Sequence, residues 1–171
     1  MRLLFNLDTK DYTCTDRVLS RPSVRAIVIK DGRVAMVHSM KHDYYKFPGG
    51  GIEPGETHEE ALAREALEEA GLVVVPQTIR EYGNVHRVSK SDHEDMDIFM
   101  QDNFYYLCDV EPVVVQQNLD DYEREERYTL EWVLPNEAIE VNRLRSHAAQ
   151  SRTMIEREAL VLEMLMRERI L

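Results

Sequence analysis

Three glutamates, Glu65, Glu68 and Glu69, stand three and four residues apart in the stretch GGGIEPGETHEEALAREALEEAGL, which runs from Gly49 to Leu72. On a helix turning about 100° per residue, those spacings place all three carboxylates on one face within about 100° of arc. Like charges at such spacing destabilise a helix by roughly 0.2–0.5 kcal/mol per pair, so something must compensate for packing them together. A hard divalent cation does so: Mg²⁺ takes carboxylate oxygens while keeping water and phosphate oxygens in its shell. Arg64 lies beside this face and can pair with Glu68 or Glu60 at helical spacing. The glycines of the preceding loop let backbone groups approach a metal or phosphate closely, and a loop entering a helix N-terminus accommodates anions. Together these groups could cleave a pyrophosphate bond. Mg²⁺ neutralises the phosphates and acidifies a bound water, a carboxylate takes the proton, and water displaces the leaving phosphate in line. For an isolated E-x-x-E-E the plain alternative is a solvated helix face. The joint pattern Gly50, Glu56, Arg64-Glu65, Glu68-Glu69, Gly71-Leu72 is far more specific.

The elements that must position these residues are legible around them. Thr57 and Glu60 form the S/T-x-x-E capping box that starts a helix, and Gly71 is the residue type that stops one. Ala63, Leu67 and Ala70, widened by Leu62 and Ala66, form the apolar face expected to meet a core. Upstream, residues 23–29 and 34–37 read as strands joined at Asp31-Gly32, a strong two-residue hairpin signal. Residues 43–56, with four glycines and two prolines, read as a loop. Strand-like stretches follow at 72–75, 79–88, 98–110 and 129–134, with a charged loop expected over 111–128. Pro135 opens a short helix. Residues 146–171 read as one long C-terminal helix, in which Ile155, Ala159, Leu162 and Met166 share a face. That face is expected to pack on its own domain, with a homodimer contact as the alternative. No repeat or linker divides the chain, so residues 1–171 read as a single domain.

Composition narrows the function. A chain of 171 residues with 43% hydrophobic and 31% charged residues has the make-up of a soluble globular protein. No run of about 18 apolar residues exists to span a bilayer, and the N-terminus is too short in apolar residues for a secretory signal; a cytoplasmic location is expected. The net charge of −11 argues against a nucleic-acid-coating surface and for contact with phosphate through a metal. Cys14 and Cys108 form neither a disulfide framework nor a zinc site, and each is expected as a small buried side chain.

The span Gly50–Leu72 resembles a complete Nudix box, G-x5-E-x7-R-E-U-x-E-E-x-G-U, where U is bulky and apolar; Ala66 is the one soft match, being small. Phe47-Pro48-Gly49-Gly50 resembles the usual lead-in. The resemblance implies an α/β fold, a Nudix-type α/β/α sandwich with a mixed sheet, here with an added C-terminal helix. It implies Mg²⁺-dependent hydrolysis of a nucleoside diphosphate linked to another moiety, with Mn²⁺ as a substitute metal. By motif match Glu65, Glu68, Glu69 and the Gly50 carbonyl would be metal ligands, with Glu56 and Arg64 supporting them. The general base would be one of the box glutamates, Glu68 or Glu69 among them, or a glutamate outside the box, for which Glu125 and Glu126 are the candidates. Substrate contacts are sought among His42, Tyr45, Lys46, His86 and Arg87, with a small nucleotide rather than nucleic acid as partner. Two competing readings are a non-catalytic sensor of a nucleotide-like ligand, disfavoured by the intact glutamates, and isomerisation of a prenyl diphosphate, disfavoured by the lack of a placed catalytic cysteine.

Overall fold

The structure, a computed structural model, describes residues 1–147 and 152–171. In chain order its elements are β1 (Leu3–Asp8), β2 (Val18–Ser20), β3 (Ser23–Ile27), β4 (Ile29–Lys30), β5 (Arg33–Ser39), β6 (Tyr44–Lys46), α1 (His58–Ala70), β7 (Leu72–Val74), β8 (Arg80–Lys90), β9 (Ile98–Leu107), β10 (Val110–Val114), α2 (Asp121–Glu126), β11 (Tyr128–Val133), α3 (Pro135–Leu144) and α4 (Arg152–Arg167). One sheet is mixed: β8 runs antiparallel to β9, β1 lies parallel to β8, and β2 and β3 both lie parallel to β9. A second sheet is antiparallel and joins β11, β5 and β4, with β6 on β5. β7 and β10 form a separate two-stranded ribbon.

The alternation of side chains along β3 and β5 creates two cores. Val24, Ala26, Ala35 and Val37 point toward α1 and meet Ala61, Leu62, Ala66 and Ala70. Ile27, Val34 and Met36 point the other way and meet Ala138 of α3 and Val161, Leu162 and Leu165 of α4. Helices therefore cover both faces, which is the expected α/β/α sandwich. Burying each leucine here stabilises the fold by about 1.5–3 kcal/mol.

Several expectations need correction. The core face of α1 is not the one centred on Ala63 and Leu67, for Leu67 is 39% exposed. The arc through Leu62, Ala66 and Ala70 is buried instead, and Glu69, about 20° from Leu62 on the helix wheel, is drawn inside with it. The segment 43–56 contains strand β6. The expected loop 111–128 holds the end of β10 and the helix α2. Among the described residues the C-terminal helix covers Arg152–Arg167 rather than 146–171: Ser146, His147 and residues 168–171 are not helical, and residues 148–151 lie outside those described. Its apolar face does pack on its own domain. Cys108 is buried, but Cys14 is exposed, on a segment that belongs to no element. Among the described residues no helix is long and apolar enough to cross a membrane.

Candidate active site

The site is assembled where the glycine loop docks between β3 and α1. Val24 N–H donates to the Gly50 carbonyl (3.0 Å) and Ala26 N–H to the Pro48 carbonyl (2.8 Å), so the loop runs as an extra strand along β3. The approach is too close for a side chain: a Cβ on Gly49, whose φ is +145°, would lie 2.1 Å from the Val24 carbonyl oxygen. A Cβ on Gly50 would lie 2.2 Å from Glu65 Oε2. Gly50 is therefore the residue that lets the Glu65 carboxylate rest against the loop backbone.

Helix α1 is fixed at both ends as its sequence requires. Glu60 N–H donates to Thr57 Oγ1 (3.2 Å), Thr57 N–H donates to Glu60 Oε2 (2.8 Å), and Gly71 ends the helix at φ +66°. The loop is tied to the helix by Glu56 and Arg64. Arg64 Nε and Nη2 donate to the two Glu56 oxygens at 2.9 Å each, and Nη2 also donates to the Gly51 carbonyl at 3.0 Å. The Arg64 bond holds the Glu56 carboxyl below its ordinary range. Arg64 Nη1 remains to face Glu65 (2.7 Å) and Glu68 (3.3 Å).

The three box glutamates have unequal surroundings. Glu69 is 1% exposed; its Oε1 accepts from Lys46 Nζ at 2.5 Å and its Oε2 from Gly49 N–H at 2.9 Å. Glu65 is largely enclosed, and burial pushes its carboxyl upward against the opposing pull of Arg64. Glu68 is the most open, with 38% of its side chain exposed. The three do not splay into solvent: all line one cavity of about 650 Å³ together with Gly49–Gly51, Arg25, Lys46, Glu123 and Glu126. Nor do they form a closed trap. Among the described residues no three acidic, histidine or cysteine side chains already converge as a metal-ligand set; Arg64 pairs with Glu65 and Glu68, and Lys46 with Glu69.

The remaining sequence candidates divide cleanly. Glu126 lines the cavity, where its Oε2 accepts from Tyr44 Oη (2.7 Å) and Ser39 Oγ (3.0 Å). Glu125 does not line it; it points outward to Lys41 Nζ at 2.5 Å, which lowers its carboxyl. The two are adjacent in a helix and so project about 100° apart. Lys46 lines the cavity but is bound to Glu69. His42 lies outside, its carbonyl facing His147 Nδ1 at 3.1 Å. Tyr45 is buried, stacked on His38 at 4.3 Å with its Oη on Glu131, so its ring is closed to a base. His86 pairs with Asp102 on the neighbouring strand (2.8 Å), and Arg87 lies over Phe99; neither lines the cavity.

Sequence reasoning missed several lining residues, Glu123, Arg25 and Arg21 among them. Glu123 is 4% exposed and faces Glu69; burial first, and then the Glu69 charge, push its carboxyl upward. Asp120 N–H donates to Glu123 Oε2 at 2.8 Å, so the D-x-x-E start of α2 was the signal that could have revealed it. Arg25, enclosed on β3, was masked by its apolar neighbours and had no signal of its own.

A glutamate-bearing helix clamped to a glycine loop, over a sheet covered by helices on both faces, defines the class: an acidic loop–helix–loop site on an α/β/α frame. A family model described as the NUDIX domain matches residues 19–157, and the chain belongs to that family. An RNA pyrophosphohydrolase from Acinetobacter baylyi is 35% identical over 96 residues, 51% of this chain and 57% of that protein. An RNA pyrophosphohydrolase from Pseudomonas putida is 47% identical over 53 residues, 30% of this chain and 33% of that protein. The chain thus spans between a third and somewhat over half the length of these curated relatives. Among solved structures, a NUDIX hydrolase from Nitrosomonas europaea superposes with a TM-score of 0.56 at 18% identity, covering 82% of this chain and 88% of that one. At that identity the likeness shows the fold.

Proposed function

We propose that this chain is a divalent-cation-dependent hydrolase that cleaves a phosphoanhydride in a nucleoside diphosphate linked to another moiety, with Mg²⁺ as the metal. The observation that carries the reading is the single cavity in which the box glutamates, the glycine loop and the carboxylates of α2 meet. The donors fit a hard cation, being carboxylate oxygens with a backbone carbonyl beside them. Glu65 and Glu68 would hold it, with the Gly50 carbonyl, which already accepts from Val24 N–H and keeps a second lone pair. When bound, the cation would polarise the phosphate and lower the pKa of a water. Arg64 would yield only its Nη1 contacts, since Glu56 and Gly51 keep the rest of its guanidinium in place. Glu69, bound on both oxygens, would mainly keep the loop and Lys46 in position. Glu126, oriented by Tyr44 and Ser39 across the cavity, is the group we assign to accept the proton of the attacking water.

A phosphorylated RNA 5′ end is a second reading, favoured by the likeness to two RNA pyrophosphohydrolases. Such a substrate need insert only its terminal phosphates, which the net charge of −11 does not forbid. A turnover screen with Mg²⁺ over nucleoside triphosphates, nucleotide sugars, ADP-ribose, dinucleoside polyphosphates and 5′-triphosphorylated RNA tests both. Release of phosphate or pyrophosphate from at least one is expected. Tight binding without turnover across the panel would instead establish a nucleotide sensor.

A further inference from the structure

Four cations line the cavity: Arg21, Arg25, Lys46 and Arg64. Two are committed to carboxylates, Lys46 to Glu69 and Arg64 to Glu56, Glu65 and Glu68. Arg25 is not. It sits in the middle of β3, is 7% exposed, and donates through Nη1 to the Gly49 carbonyl. Its Nε is buried and, among the described residues, has no hydrogen-bond partner. A charged donor kept from water and left unmatched is costly, so its retention calls for a ligand. A guanidinium fork is best matched by carboxylate or phosphate. Arg21 adds a second cation nearby: a Cβ on Gly51 would lie 3.3 Å from its Nε and 3.5 Å from its Nη2. The glycine run is thus flanked by two guanidinium groups from the strand side and by Glu65 from the helix side.

We propose that Arg25 is a phosphate-binding residue, its guanidinium taking a non-bridging oxygen of the substrate's phosphate chain, with Arg21 assisting at the cavity mouth. The Gly49 carbonyl presets the guanidinium, so little side-chain freedom remains to be lost on binding. The inference rests on the reading of this cavity as a phosphoanhydride site. It also explains how an acidic cavity can admit an anion, since the strand-side wall supplies charge beyond that of the cation.

The test is calorimetric titration of inorganic pyrophosphate in Ca²⁺ into wild type, R25Q, R25K and R21Q, each checked by thermal melting, alongside kcat and KM for the best substrate in Mg²⁺. R25Q is expected to bind pyrophosphate about 10- to 100-fold more weakly, the range of a lost charge-assisted hydrogen bond. R25K, which keeps the charge but lacks the fork, should be weakened about 5-fold or more, and R21Q about 3-fold. KM should rise in step while kcat changes far less, a split that a merely structural role would not produce. Should R25Q not fold, R25K and R21Q decide. Wild-type affinity in the folded variants, or no pyrophosphate binding by wild type, overturns the subsite. Binding that depends on Arg25 in a protein that cleaves no phosphoanhydride would overturn the functional reading and leave the subsite standing.

Discussion

At the scale of single residues, the site works through contacts that make near-identical side chains unequal. Glu65, Glu68 and Glu69 look equivalent in the box, yet one is buried against Lys46, one enclosed beside Gly50 and one open. Gly50→Ala should therefore act as a catalytic lesion: its Cβ would meet the Glu65 carboxylate at 2.2 Å. Turnover is expected to fall at least ~10-fold with the melting temperature little changed, because the flexible glutamate can swing away at small energetic cost. The Glu56–Arg64 pair carries a pH signature. Its folded-state carboxyl is held below the ordinary glutamate value, so its stabilisation is present at neutral pH and is lost as pH falls through that lowered range. Glu56→Gln should cost about 1 kcal/mol in urea unfolding at pH 7, and the gap to wild type should close below about pH 4. A constant gap at acid pH would contradict the assignment. The eight box positions, and thus this cluster, could be read from residue types alone. The burial of Glu69 followed from its helix-wheel position beside Leu62, but the apolar arc was centred on Leu67 instead. Arg25 and Glu123 depend on which strand face and which helix turn meet the cavity, and those are tertiary facts.

At the scale of elements, the C-terminal helix is joined to the site by a buried polar network. Arg157 Nε donates to Glu158 Oε1 (3.0 Å), and Arg157 Nη1 donates to Asn103 and to Gln101 Oε1 (3.3 Å). Glu158 Oε2 accepts from Phe47 N–H (3.4 Å), one residue before the Pro48-Gly49-Gly50 turn. Both charges are fully enclosed, at 1% and 0% exposure. Removing one alone leaves the other buried and unpaired, at a cost of about 3–5 kcal/mol, whereas an apolar replacement of both at matched volume is far milder. Equilibrium unfolding of E158A, R157M and R157M/E158L should show this: each single variant strongly destabilised, the double variant much less. Additive losses would mean that the two residues act independently. The apolar stripe of this helix was plain in its i, i+4 spacing, but the pair was not, because nothing in that spacing shows which strand residues an Arg and a Glu meet. Strands β1 and β2 went unread for a related reason: they are short, and most of their residues are exposed or only partly buried.

At the scale of the whole molecule, two cores on opposite faces of the β3 and β5 strands hold helix α1 on one side and α3 and α4 on the other, and the cavity opens where loop, α1 and α2 meet. The α/β/α order was legible only through the family resemblance that the box carries, since strand and helix patterns name the elements without fixing how they stack. The division of strands into a mixed and an antiparallel sheet was not, because pairing across long sequence separations leaves no local trace. With an acidic surface and an acidic cavity, the proposed phosphate recognition would depend on a cation and on a few placed guanidinium groups. The central claim is that the box helix holds that cation for phosphoanhydride hydrolysis. Glu68 tests it most cleanly, being the box glutamate with the least structural engagement. The measurement is the steady-state rate of phosphate or pyrophosphate release from the best substrate of the panel, for wild type and E68Q, in Mg²⁺ and in EDTA. The account predicts turnover in Mg²⁺ that stops in EDTA and falls at least ~10²-fold in a normally folded E68Q; equal rates with and without metal, or an unchanged E68Q, would contradict it.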